Sequence, residues 1–167
     1  MKPNTAIVIV SDIAASRRFY EQVLNQRVTL DLGANIAFDG TLSLLARDVW
    51  AEFIGKPEGE IVFASHSFEL YFEEDDFEAC LARLAAHPIE YVHGAREFPW
   101  GQRVVRFYDP DRHVIEVGES MASVFRRFLS QGLSLEETAA RTQHPVEFVR
   151  ESVLQVVATN QSEKGTK

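Results

Sequence analysis

The sequence has a single cysteine, Cys80, which excludes an internal disulfide and a cysteine-rich zinc site. No apolar run approaches the roughly 18 residues that a membrane-spanning helix needs, so no membrane partner is expected. Basic residues are the minority, 17 against 25 acidic. The resulting charge of −8 disfavours nucleic acid, whose binding rests on a basic footprint. There is no glycine-rich phosphate loop and no Gly-x-Ser-x-Gly elbow. The opening Met1-Lys2-Pro3-Asn4 lacks the features of a signal peptide, and a cytoplasmic location is expected.

What is present suits one soluble globular domain with an appendage. Hydrophobic residues make up 46% and charged residues 25% of 167 positions, so bulk disorder is ruled out. A chain this long buries about 70% of its unfolded surface and needs no covalent staples.

The pattern along the chain predicts a repeated order of elements. Thr5 to Val10 is a continuous β-branched run and reads as a strand. Asp12 is a good helix N-cap, and Phe19, Tyr20, Val23 and Leu24 give one apolar helix face. Strands follow at Val28–Leu30, around Ile36–Phe38 and at Leu42–Leu45, with Asp39-Gly40 as a hairpin turn. Residues 47–65 suggest a helical turn at Trp50 and Phe53, then an irregular connection through Gly55, Pro57 and Gly59.

The second half restarts with Phe68–Glu73, where Phe68, Leu70 and Phe72 alternate onto the core face. Asp75-Asp76 precedes a helix carrying Phe77, Cys80, Leu81, Leu84 and Ala85 on one stripe. His87-Pro88 ends it, and strands are predicted near 89–92, 103–108 and 113–117. Setting Asp12 over Asp76 superimposes the halves. A strand-helix-three-strand unit gains by pairing with a copy of itself.

The segments Val10-Ser11-Asp12-Ile13 to Phe19-Tyr20-Glu21-Gln22-Val23-Leu24 and Arg106-Phe107-Tyr108-Asp109-Pro110-Asp111 to Ile115-Glu116-Val117 resemble the vicinal oxygen chelate superfamily. Glyoxalase I, extradiol dioxygenases and the fosfomycin and bleomycin resistance proteins belong to it. The resemblance implies an α+β fold: paired βαβββ modules, about 5–46 and 66–118, forming a cupped mixed β-sheet over residues 1–118. Metal-using members place four ligands at the mouth of the cup. Carried over, these positions fall on Thr5, near Ser43, on Glu69 and on Glu116. Glu116 matches the usual residue, Glu69 stands where a His is usual, and the two hydroxyls are poor ligands. The standard metal site is therefore incomplete.

Each candidate has a functional and a structural role open to it. Glu116 would act as ligand, base or polar anchor, or pair with Arg103 or Arg106. Glu69 and Tyr71 share the polar face of their strand; two close carboxylates would give a general acid or base, and Glu69 and Glu116 are the candidate catalytic pair. With one divalent metal ion they would also be its ligands, and His66 would join only through a bend. Trp100 and Arg103, near the Pro99-Trp100-Gly101 turn, suit a planar or anionic ligand. Arg112 stands where the family usually has glycine, and His113 after it is expected to pack at the core or rim. His87, His93 and His144 have no constellation around them.

Beyond the family core, residues 119–157 read as a helical extension. Val124, Phe125, Phe128 and Leu129 form one stripe, Ser134 to Glu137 is a capping box, and Pro145 opens a third helix with Val146, Val149, Val153 and Val156. This resembles a helix-turn-helix, but its charges are mixed, and packing against the sheet domain or a second subunit is expected instead. Residues 158–167 read as a polar tail.

The function expected is glyoxalase/bleomycin resistance/dioxygenase-like: a homodimer whose cup binds a small organic ligand through Glu69, Tyr71, Trp100, Arg103 and Glu116. The alternatives are a metal-dependent lyase, isomerase or dioxygenase, and a ligand-sensing regulator that uses the C-terminal helices.

Overall fold

A computed structural model describes residues 1–2, 4–40 and 42–154. The first module is β1 (Ala6–Val10), α1 (Ile13–Gln22), β2 (Val28–Asp31), β3 (Asn35–Phe38) and β4 (Leu42–Ala46). The second repeats that order as β5 (Glu69–Glu74), α3 (Phe77–Ala85), β6 (Tyr91–Glu97), β7 (Arg103–Tyr108) and β8 (Val114–Glu119). Each module gives a four-stranded sheet, ordered β1-β4-β3-β2 and β5-β8-β7-β6. In the first, β1 runs parallel to β4 with Val8 opposite Leu44, and β3 pairs antiparallel with both β4 and β2.

Local chemistry sets the helix starts. The Asp12 carboxylate accepts the backbone N–H groups of Ala14 and Ala15, both at 2.9 Å, and Asp76 accepts that of Ala79. Residues 47–54 form a complete helix, α2 (Arg47–Ile54), rather than the single turn predicted. Gly55 closes it in the left-handed conformation at φ +65°, returning its N–H to Ala51 and Glu52 carbonyls. The strand beginning at Glu69 leaves Phe68 outside the core at 55% exposed, although alternation had placed it inside. The backbone turns left-handed at Ala64 and His66 just before it, which breaks the two-residue period.

The chain forms two compact units. One comprises 1–70, 83–92 and 107–115; the other comprises 71–82, 93–106 and the chain from Glu116 onward. In the first, Tyr20 is fully buried and stacks on Phe38 at 5.6 Å, with Val8, Val10, Leu44, Leu84 and Phe107 around the same core. In the second, Phe77, Cys80, Val104, Val105 and Val117 are buried. This second unit also holds α4 (Met121–Ser130), α5 (Leu135–Thr142) and helical residues 146–154. The capping box of α5 is present in full between Ser134 and Glu137. Val146, Val149 and Val153 pack with Phe125 and Ala139, as the apolar stripe predicted. Val156 and the polar tail lie outside the described residues. Among the described residues, no helix is long and apolar enough to cross a membrane.

Candidate functional site

In the second unit, Glu116 on β8 is only 8% exposed, and its carboxylate pairs with the Arg106 guanidinium of β7. Oε2 is the buried oxygen, and Arg106 Nη2 is the group that meets it. The Arg106 guanidinium also lies 3.3 Å from His93 Nε2 and 5.5 Å from the Phe98 ring centre. Phe98 stacks on Trp100 at 4.9 Å, so His93, which had no partner in the sequence reading, joins an aromatic and cationic cluster.

Gln102 links two of the other candidates. Its carbonyl accepts the Trp100 indole N–H at 3.0 Å, and its amide donates to the Tyr71 hydroxyl and to the Glu119 carbonyl at 2.9 Å each. A tight backbone makes this reach possible, because a side chain at Gly118 would collide with the Gln102 amide and crowd the Tyr71 ring. Tyr71 in turn donates to Glu73. Burial, with the Glu73 carboxylate adding to it, pushes the phenol up to about 12 against the lowering effect of Gln102. Tyr71 is therefore a neutral phenol at physiological pH and no base. Nothing in the sequence marked Gln102, since a lone glutamine carries no motif.

Arg103 has a different environment. It binds Glu119 through Nε at 3.2 Å and Nη2 at 3.1 Å, reaches Glu78, and lies 5.1 Å from the Phe77 ring centre. Arg127 of α4 adds a second guanidinium to Glu119 at 2.9 Å. Burial raises the Glu119 carboxyl, but hydrogen bonds and charge from Arg127 and Arg103 outweigh it, leaving the group below the usual carboxylate range. Arg103 is thus committed to tying β7 to α3 and, through Glu119, to Arg127 of α4.

In the first unit, Glu69 is exposed on β5 and lines a cavity of about 280 Å³ with His66, Ser67, Phe68 and Val114. His66 is left-handed at φ +54°, and its Nε2 lies 2.9 Å from the Tyr108 hydroxyl. The chain thus bends at His66, which places it in the same cavity lining as Glu69. Asp109 and Asp111 of the Asp-Pro-Asp turn are both buried. Asp111 accepts from the Ser11 backbone N–H at 2.9 Å; Asp109 accepts from the Asp111 and His113 backbones and from Tyr20. Arg112 takes the left-handed φ of +64° that favours glycine, at a cost of about 1–2 kcal/mol.

His113 Nδ1 lies 2.8 Å from Asp109 Oδ2. Burial pulls its pKa down, but the Asp109 hydrogen bond and charge, with Asp111 behind them, raise it above the ordinary 6.5. A histidine raised on folding contributes its full stability below the unfolded value of about 6.5, and loses it as pH climbs through the folded value. The melting temperature is expected to fall as pH rises through that window, and to be flat there in His113→Gln. A melting temperature that rises instead would contradict the pairing.

Each implied metal-ligand position can be tested by itself. Thr5 is exposed ahead of β1, Ser43 is buried on β4, Glu69 is an exposed carboxylate on β5, and Glu116 already carries the charge of Arg106. Hydroxyls and a neutralised carboxylate do not fit a divalent ion. No group of three or more His, Cys, Asp or Glu that could hold a metal occurs among the described residues.

Residues 4–122 match the family model of a glyoxalase-like domain. The chain belongs to the glyoxalase-like family. A solved protein of unknown function from Agrobacterium tumefaciens str. C58 is 34% identical, with 72% of this chain and 94% of that one covered and a TM-score of 0.65. A glyoxalase/bleomycin resistance protein/dioxygenase from Nocardioides is 20% identical over 71% and 83%, with a TM-score of 0.60. A lactoylglutathione lyase from Agrobacterium tumefaciens is 22% identical over 71% and 92%, at 0.57. These last two show the shared fold alone. No curated protein matches the chain. Membership explains why the glyoxalase-like repeat was visible from Asp12, the Phe19-Tyr20 pair and the Asp109-Pro110-Asp111 turn.

Proposed function

We propose that this glyoxalase-like protein binds a small, planar organic ligand on the polar and aromatic strip of its second unit, beside the neutral Arg106–Glu116 ion pair. The observation that carries the reading is the Arg106–Glu116 pair, in which an arginine neutralises the carboxylate that the family resemblance assigns to a metal. A guanidinium offers directional N–H donors to ligand oxygens but cannot exchange ligands as a metal does. Around it, His93, Trp100 and Tyr71 provide partly exposed ring faces and polar edges suited to a flat molecule with carbonyl or hydroxyl oxygens. Arg103 contributes by holding Glu119 and the strand beneath the strip.

Metal analysis by mass spectrometry tests this, with nickel, zinc, manganese and iron each re-added after chelation. No stoichiometric ion is expected, and a thermal-shift screen of aromatic carbonyl compounds is expected to give stabilising hits that Trp100→Ala and Tyr71→Phe weaken. One tight ion per chain, lost in Glu116→Gln, would overturn the reading in favour of a metal-dependent lyase, isomerase or dioxygenase acting through Glu116 and Glu69.

A further inference from the structure

A separate cavity of about 370 Å³ lies wholly within the first unit, and the strip described above contributes nothing to it. It is lined by Ile7, Val8 and Ile9 of β1, Trp50 of α2, residues Glu60 to Phe63, Ser65 and Phe68, and His113. The volume falls in the range of about 300–1,000 Å³ typical of small-molecule sites. Most of its lining side chains are apolar, and polar atoms share the exposed wall with them. Glu60 and His113 are the titratable groups of the lining, and Glu60 is already paired with Lys56 at 3.3 Å.

His113 is the titratable donor of the lining with spare capacity. Asp109 accepts the backbone N–H groups of Asp111 and His113, the Tyr20 hydroxyl and the His113 ring. A carboxylate loaded in this way acts only as an acceptor, so the proton on Nδ1 is fixed and the ring cannot choose the other tautomer. Nε2 has no protein partner among the described residues. Phe63 meets the ring edge-on at 5.7 Å and holds its orientation. Beside the lining residue Ser65, the non-glycine residues Ala64 and His66 stand at φ +60° and +54°. Two left-handed residues flanking Ser65 give that segment a strained conformation of the kind that gathers at binding sites.

A cavity whose lining side chains are mostly apolar, with an oriented imidazole nitrogen in its wall, selects a particular chemistry. We infer that this cavity binds an apolar organic acid, its hydrocarbon or aromatic body against Ile7, Ile9, Trp50, Phe63 and Phe68 and its carboxylate on His113 Nε2. The carboxylate requires a donor, so the bound state has His113 protonated, held between Asp109 and the ligand. Where the free protein has a neutral imidazole, binding takes up one proton from solvent. Asp109, Asp111 and Glu60 are the other charged groups near the ring, and all are acidic. They favour that proton and oppose an anion without it.

The probe is 4-phenylbutyrate, with the uncharged 4-phenylbutan-1-ol as control, followed by NMR of the Trp50 indole and His113 ring and by calorimetry in buffers of different ionisation enthalpy. Both signals are expected to shift saturably, with uptake of about one proton and an affinity that falls about tenfold per pH unit above the His113 titration. His113→Gln is expected to weaken the acid about ten- to hundredfold while leaving the alcohol unchanged. Because His113 supports a buried carboxylate, a second variant guards against misfolding. Val62, 76% exposed at the rim, replaced by glutamate is expected to weaken the acid and spare the alcohol. Equal binding of acid and alcohol, no change in either variant, or shifts confined to Trp100 would each overturn the assignment. The last of these would leave the second-unit reading standing.

Discussion

Replacing Arg106 by methionine is expected to cost about 3–5 kcal/mol of folding stability, the usual penalty for stranding one partner of a buried ion pair. The side chains of Arg106 and Glu116 are 22% and 10% exposed, so water reaches the carboxylate poorly once the guanidinium is gone. Methionine keeps the apolar stem of the arginine while removing its charge and its N–H donors. The double variant Arg106→Met with Glu116→Gln is expected to recover most of the loss, because a neutral amide costs far less to bury. Urea denaturation of the two singles and the double at neutral pH measures this. A loss in Arg106→Met below about 1 kcal/mol would show that the pair behaves as a surface salt bridge, and the site would then be open to water and to a competing cation.

Phe125→Ala is expected to lose a similar amount, about 3–5 kcal/mol. Phe125 is fully buried at the centre of the helical extension, with Ala139 and Val149 in one cluster and Met121, Leu135, Val146 and Val153 against it. His144 and Phe148 stand edge-on to its ring at 5.4 and 6.0 Å. The neighbours come from three short helices, so the space is filled only if whole helices shift. In this variant, amide exchange in residues 135–154 is expected to accelerate first while Val8, Val10 and Leu44 keep their protection. Exchange rising together at all these amides would show one cooperative body. α4 itself is tied to the β6–β7 turn. Phe128 closes over Gly101, where a side chain would overlap the ring, and Arg127 donates to the Gly101 carbonyl at 2.6 Å.

Much of the fold could be read from short-range pattern. The caps at Asp12, Asp76 and Ser134, and the stripe of Phe77, Cys80 and Leu84, each depend on residues within a turn or two of each other. Such signals survive in a linear sequence because their partners are a fixed number of residues away. The reading faltered where the backbone left its period. Phe68 fell outside the core because His66 bends the chain, and α2 was underestimated although Gly55 already supplied its stop signal.

The site was less legible. Glu116 could be singled out, but whether its partner was a ligand or an arginine could not, since Arg103 and Arg106 differ by three positions along one strand. Register decides the matter, giving Arg106 to Glu116 and Arg103 to Glu119. Gln102 and His93 carried no signal at all. They matter only because β6, the following turn and β7 bring them to Trp100, Tyr71 and Arg106.

By itself, then, the sequence determined the doubled βαβββ order and the helical extension, because periodicity, capping and turn chemistry act between near neighbours. Only the tertiary structure decided which charges neutralise each other and which ring nitrogen of His113 stays without a partner. Those outcomes depend on strand register and burial, where a shift of one residue reverses the face a side chain takes and a change in water access alters the energy of every charge it meets.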